Sequence, residues 1–319
     1  MRAGGRSRSA VVASTTGPDP GVARPLRIVH AVRSDAFAGV ERYVTLVAKE
    51  LARLGHQLAV VGGNADRMPR ELGDIEWRPA ATTAEVFSEL RSAAQRADVV
   101  HAHMTAAEFA ASVNPALRKI PLVATRHFAA NRGSGKAGRA VARIIERRLA
   151  VEIAVSDFVA GTVGRPCVTL MNGVDRRPQV ALDNRVVLAV QRLEAEKRTA
   201  ELIRAWPLTG LAERGWELWI AGTGSERAGL ESLAANADGI RLLGHRGDVP
   251  ELHRRAAMFV ATAPAEPFGL SVAEAMASGL PTVASSGGGH LETVGRARPD
   301  LLYESGDEEQ LAADRKRHV

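Results

Sequence analysis

Short apolar runs recur along this chain, separated by polar stretches long enough to form helices. Folding is expected to start at Leu26, with Ile28-Val29-His30-Ala31-Val32 as a first buried strand. A loop through Gly39, a helix over about Val40 to Leu54 and a closing Gly55 follow, and Leu58-Ala59-Val60-Val61 completes a βαβ unit. The alternation continues with Asp98-Val99-Val100-His101-Ala102-His103, Leu122-Val123-Ala124-Thr125, Ile153-Ala154-Val155 and Val168-Thr169-Leu170-Met171. Unbroken apolar runs belong to strands buried on both faces, hence to a parallel sheet covered by helices on each side.

After Asn172-Gly173-Val174-Asp175 comes a polar bridge, Arg176-Arg177-Pro178-Gln179, and then the pattern restarts. Val186–Val190 is followed by a helix near Thr199 to Trp206. Leu218-Trp219-Ile220-Ala221 runs into Gly222-Thr223-Gly224, with a helix from about Ser225 to Ala235. Ile240–Leu243, Met258–Ala261 and Pro281–Ala284 complete a second sheet. The expected organisation is an arm over residues 1–25 and two doubly wound α/β domains, 26–177 and 178–319, facing across a cleft.

Composition narrows the class. The chain has 319 residues, enough for two cores, and a single cysteine, Cys167, which excludes a disulfide framework and points to a reducing compartment. No apolar run reaches the roughly 18–20 residues of a membrane span. The first 25 residues lack the sustained apolar core of a signal peptide and read as a disordered arm or an overextended start. A cytoplasmic protein is expected. The net charge of +6 favours anionic partners. Nucleic acid is excluded as a partner by the absence of zinc-finger spacing, of an aromatic-basic RNA-binding pattern and of enough aromatics for stacking. Arg139, Arg143 and Arg147, flanked by Lys136 and Arg148, put a basic stripe on one helix. It reads as a solvated face or as peripheral attachment to anionic lipid at the inner face of the membrane.

The chemistry concentrates where strands end. Glu266-Pro-Phe268-Gly269-Leu270-Ser-Val-Ala-Glu274 sets two carboxylates around a Phe-Gly turn, and Gly279 and Pro281 stop the short helix that follows. The amides at a helix start take an anion, here those near Gly269 and Leu270, while carboxylates accept from sugar hydroxyls. A nucleotide sugar combines both. Arg192 and Lys197, at and just past a strand end, supply cations for a diphosphate. No Asp-x-Asp pair occurs, which argues against a divalent cation held in that way. Ser271-Val-Ala-Glu274 also fits a capping box, in which Glu274 would only bond the Ser271 N–H. Alone, Glu266 would pass for a solvated loop carboxylate, and Arg192 and Lys197 for surface charges. His103 alone reads as a satisfied strand-end histidine, His127 divides evenly between structure and function, and His101 is read as structural, on the opposite strand face. Gly222-Thr-Gly224 reads as a tight strand-to-helix turn.

The paired-glutamate block, Val-Gln-Arg192-Leu-Glu-Ala-Glu-Lys197, Ala38-Gly39-Val40-Glu41, His101-Ala-His103 and Asn172-Gly173-Val174-Asp175 together resemble the family 4 retaining glycosyltransferases, from about Leu26 to Asp307. The resemblance implies the GT-B architecture of two Rossmann-like domains and a UDP-, GDP- or ADP-sugar as donor, with no cofactor. It implies that Glu274 binds the donor ribose and Glu266 the transferred sugar. Arg192 and Lys197 would hold the diphosphate, Gly39 would let the first loop approach it, and His103 would contact the donor sugar. It also implies retention by front-face attack. The acceptor stays open among lipid-linked, polysaccharide and small-molecule hydroxyls, as do the base and sugar of the donor.

Three positions depart from the family pattern: Ala38, Gln191 and Arg198 stand where glycine is usual, and Gln191 is expected near the phosphates. The run Leu301–Leu311 resembles the approach to the family's closing helices, but the chain stops at Val319. This reads as a truncation, and sets a catalytically inactive sugar-nucleotide-binding or scaffold protein as the alternative to a transferase. A GT-B epimerase is disfavoured, since no acidic residues are placed to pair for proton abstraction.

Overall fold

A computed structural model describes residues 24–133 and 135–318. The arm expected over residues 1–25 lies, apart from its last two residues, outside the described residues. Seven strands form a first sheet: β1 (Arg27–Val32), β2 (Gln57–Gly62), β3 (Glu76–Arg78), β4 (Val99–His103), β5 (Leu122–Arg126), β6 (Val151–Ala154) and β7 (Val168–Thr169), in the order β3-β2-β1-β4-β5-β6-β7. Six form a second: β8 (Val186–Val190), β9 (Glu217–Ala221), β10 (Ile240–Gly244), β11 (Met258–Ala261), β12 (Thr282–Ser285) and β13 (Leu302–Tyr303), in the order β10-β9-β8-β11-β12-β13. Every pairing in the second sheet is parallel. These are the two Rossmann-like sheets that the apolar runs predict. The sequence reading missed β3 and β13, which lie at sheet edges and are too short to form a distinct run.

Two compact units partition the chain. One takes the described residues up to His101 with Asn114–Pro121, and the other takes Ala102–Val113 with the residues from Leu122 onward. The bridge Arg176–Gln179 lies inside the second. Around the second sheet a single apolar core gathers Val187, Leu188, Leu202, Trp206, Ile220, Phe259 and Val283, all buried. Val186–Val190 is apolar throughout and buried over its first four residues, as a strand inside a covered parallel sheet must be.

The histidine assignment on β4 needs correcting. His101 and His103 are two positions apart on one strand and therefore share a face. His101 is buried and stacks against His30 with ring centroids 5.0 Å apart, a packing role.

Arg198 sits at φ 50°, ψ 39°, the left-handed conformation, as it opens the helix Thr199–Leu208. This accounts physically for the glycine usual there, since a Cβ in that region costs about 1–2 kcal/mol. Arg198→Gly is expected to stabilise the protein by about 1 kcal/mol, offset in part by loss of the exposed contact to Ser305 Oγ at 3.0 Å. A urea titration with an unchanged slope and a lower midpoint would contradict this.

Candidate functional site

The strand order of the second sheet reverses between β8 and β11, and the loops leaving their carboxyl ends carry the expected residues. After β8 the turn Ala195–Lys197 presents Lys197, whose Nζ lies 2.5 Å from Glu266 Oε2 in the loop after β11. The side chains are only 15% and 18% exposed, so the pair is well screened from water. Thr262 Oγ1 donates to the Lys197 carbonyl at 2.6 Å, and Gln191 Nε2 donates to Thr199 Oγ1 at 2.9 Å and Thr262 Oγ1 at 3.3 Å. The Gln191 side chain therefore braces the Lys197 turn. Arg192 is different. Its guanidinium is 58% exposed and pairs with Glu196 at 2.6 Å, on the same turn and not with Glu266.

Gly222 and Gly224 prove to be more than a generic turn. A Cβ on Gly222 would lie 1.8 Å from the Gln191 carbonyl oxygen, and one on Gly224 would lie 2.2 Å from that of Leu193. Their bare backbones let the Gln191–Leu193 loop lie against them, with Leu193 N donating to Thr223 O at 2.9 Å.

Gly269, at φ 91°, caps the helix Leu270–Ala277. The first intrahelical bond runs from Ala273 N to Gly269 O at 2.9 Å, so the amides of Leu270, Ser271 and Val272 precede the helix's own acceptors. With Gly269 as the cap, Ser271 is inside the helix and the capping box does not form. Glu274, one turn further on, instead faces Arg177, Nη2 to Oε1 at 3.3 Å. Phe268 is buried in an apolar cluster with Ala154, Val155 and Val159, so its ring serves packing. Beside it Ser156 Oγ donates to the Pro267 carbonyl at 2.5 Å, and Glu292 accepts from the amides of Asp157 and Phe158 at 2.7 Å each.

A glycine run that the sequence reading passed over supports the Glu266 loop. Cβ atoms on Gly287, Gly288 and Gly289 would fall 1.9, 2.4 and 2.6 Å from the backbone of Pro264, Glu266 and Phe268 respectively. Gly289 N donates to the Glu266 carbonyl at 2.7 Å. His290, buried next to it, lies at hydrogen-bond distance from Ser285; burial lowers its pKa, against the pull of the Glu266 charge. Three consecutive glycines after an apolar strand were the available signal.

On the first sheet, His103 is fully buried at the end of β4, and its Nδ1 lies 3.1 Å from His127 Nε2. One nitrogen must donate and the other accept, so the two tautomers are coupled. Of the two rings, His127 is the one that keeps some exposure. Gly39 opens the helix Gly39–Arg53 in the other compact unit. The structure thus brings the Lys197–Glu266 pair beside the helix start at Gly269 and Leu270, places Glu274 one turn along that helix, and pairs His103 with His127.

Burial pushes the pKa values of His30, His127 and His253 down to about 4 from 6.5. The unfolded chain binds these protons first as pH falls, so the stability they contribute is full above 6.5 and is lost as pH drops towards 4. The urea midpoint is expected to decline already between pH 6.5 and 5, before carboxylates titrate. A flat profile across that interval would contradict the assignment.

A profile of the glycosyl transferases group 1 matches residues 184–317, and one of glycosyltransferase family 4 matches residues 37–177. The chain belongs to the group 1, family 4 glycosyltransferases. The chain is 30% identical over 148 residues to the mannosylfructose-phosphate synthase of Agrobacterium fabrum, covering 42% of this chain and 33% of that one. It is 30% identical over 227 residues to the glycogen synthase of Mycobacterium tuberculosis, covering 62% and 54%. The chain therefore spans between a third and about half the length of these curated relatives. Its fold is similar to that of Anabaena HepE, solved in complex with UDP and glucose, with a TM-score of 0.75 at 20% identity over 92% of this chain and 89% of that one. The GT-B fold is thereby shared.

Proposed function

We propose that this glycosyltransferase moves a sugar from a nucleoside-diphosphate donor to an acceptor hydroxyl, with retention and without a metal. The observation that carries the reading is the Lys197–Glu266 pair at 2.5 Å beside the helix start at Gly269. Lys197, assisted by Arg192, and the amides at Leu270 balance the leaving diphosphate, Glu266 accepts from hydroxyls of the transferred sugar, and Glu274 from those of the ribose. The acceptor oxygen attacks the anomeric carbon on the face the phosphate leaves, and the departing phosphate oxygen takes the acceptor's proton. No protein nucleophile is needed. The His103–His127 pair serves the donor sugar, and residues 178–319 form the donor-binding domain.

A thermal-shift screen with UDP-, GDP- and ADP-sugars tests this, because a ligand that binds only the folded state raises the melting temperature. UDP-glucose is the first to try, since HepE is known with UDP and glucose. Stabilisation by one nucleotide class, lost in Glu266→Ala, supports the reading; no shift with any donor overturns it.

For the acceptor, the helix Gly135–Arg148 turns Lys136, Arg139, Arg143 and Arg147 to solvent around the exposed Ile144. This suits peripheral contact with an anionic bilayer and hence a lipid-linked acceptor. No described helix is long and apolar enough to cross a membrane. Co-sedimentation with phosphatidylglycerol vesicles but not with phosphatidylcholine vesicles is the expected result.

A further inference from the structure

The bridge between the two sheets lies along the far end of the helix Leu270–Ala277. Val180 N donates to the Ser278 carbonyl at 3.0 Å, and Gln179 Nε2 donates to that of Ala277 at 3.2 Å. Gly279, at φ +80°, permits this approach, since a Cβ there would lie 2.1 Å from Gln179 Oε1. Arg176 and Pro178 are exposed, but the Arg177 side chain turns inward and is 17% exposed.

Its fork reaches two groups. Nη2 lies 3.3 Å from Glu274 Oε1, and Nη1 lies 3.3 Å from His253 Nδ1. A guanidinium can only donate, so His253 Nδ1 is the acceptor in that contact and the ring proton resides on Nε2. Burial and the Arg177 charge together hold His253 neutral, which is the form this contact requires. Ser278 Oγ, 3.2 Å from the same Nδ1, is also 3.0 Å from the Glu274 carbonyl, so the histidine, the serine and the last helical turn form one support.

We propose that Arg177 is a positioning residue for the donor: braced by His253, it orients the Glu274 carboxylate to accept from the ribose hydroxyls. The inference rests on Glu274 being the ribose ligand. An ionised carboxylate has about four acceptor positions, so a contact at Oε1 is compatible with hydroxyls on the others. A latch that must release before the donor enters fits the geometry less well. The bridge is pinned through Gln179 and Val180, and the guanidinium is held at its other end by His253.

The test is a double-mutant cycle, read by calorimetric titration with whichever of UDP, GDP and ADP the wild-type protein binds most tightly. Arg177→Gln is expected to weaken binding about tenfold, with Arg177→Lys intermediate because it keeps the charge but loses the fork. In a Glu274→Ala background, Arg177→Gln is expected to change affinity less than about twofold, since its effect passes through the carboxylate. Donor KM should rise while kcat holds.

An equal loss in both backgrounds, or tighter binding in Arg177→Gln, overturns the positioning role while leaving Glu274 as a ligand. Unchanged affinity in Glu274→Ala alone removes the ribose reading, and this inference with it. Circular dichroism melts establish that each variant folds. Should Arg177→Gln fail to fold, the same cycle run with Arg177→Lys decides between these outcomes.

Discussion

Replacing Lys197 by alanine is expected to lower kcat/KM for sugar transfer by about 10²–10³-fold, the loss typical when a charge-stabilising group is removed from a developing anion. Two effects act in the same direction. With Lys197 at the diphosphate as proposed, the departing group would lose a cation, and Glu266 loses the ammonium 2.5 Å from its carboxylate in a site where both side chains are mostly buried. A carboxylate left uncompensated there would repel a phosphate bound beside it. Lys197→Arg should recover part of the rate, because charge is retained while the compact ammonium geometry is lost. Arg192→Ala should cost less, as its guanidinium is more than half exposed and spends its charge on Glu196. The measurement is initial-rate transfer or donor hydrolysis at varied donor concentration. A loss under tenfold for Lys197→Ala, or a larger one for Arg192→Ala, would reverse the ranking of the two cations.

The second large effect is on stability. Arg132, in the loop before the helix Gly135–Arg148, is buried: Nε lies 2.5 Å from Glu108 Oε2 and Nη2 lies 2.7 Å from Glu152 Oε1, with the three side chains at 2%, 2% and 0% exposure. Arg126 and Arg165 stand further from Glu152, at 3.5 and 3.7 Å. Arg132→Met should destabilise the fold by about 3–5 kcal/mol, because it leaves buried carboxylates without their close partner. Glu108→Gln added to it should restore part of that, since removing both partners of a buried pair costs far less than removing one.

The pH dependence has a defined sign. Burial already raises the Glu108 pKa above 4.5, and Arg132 opposes that rise, so the variant raises it further. A carboxyl with a raised folded pKa binds its proton more tightly when folded, and stability is lost as pH climbs through that pKa. The gap between wild type and variant should therefore widen from pH 4.5 upward, while the histidine contributions, common to both, cancel. A gap that narrows with rising pH would show that the carboxylates are not the origin of the effect.

Much of the fold was legible because its signal is local. Five of six second-sheet strands stood out as short apolar runs, since a strand covered on both faces needs such residues throughout. Gly269 and Leu270 could be placed at a helix start because Phe-Gly before a helical segment is a boundary signal. Gln191 shows where this stopped. Its position at a strand end was legible, but its partners were not: its amide turns to Thr199 and Thr262, a choice set by hydroxyls that only the folded chain brings near. The capping box at Ser271 failed for a similar reason: a serine three before a glutamate looks the same whether it is at the cap or inside the helix, and the cap is Gly269. The burial of Arg132 has no local signature, because a helical period describes one helix face and not what lies beneath the preceding loop.

By itself, then, the order of residues determined the strands, the two successive α/β halves and the list of charged side chains at strand ends. These follow from burial periodicity and turn chemistry within a few neighbouring positions. Only the tertiary structure decided which of those charges meet. Lys197 reaches Glu266 while Arg192 does not, Arg177 rather than Ser271 accompanies Glu274, and His103 shares a hydrogen bond with His127. Each of these pairings joins segments distant in sequence, and a side chain commits to a partner only after packing has removed water as the alternative.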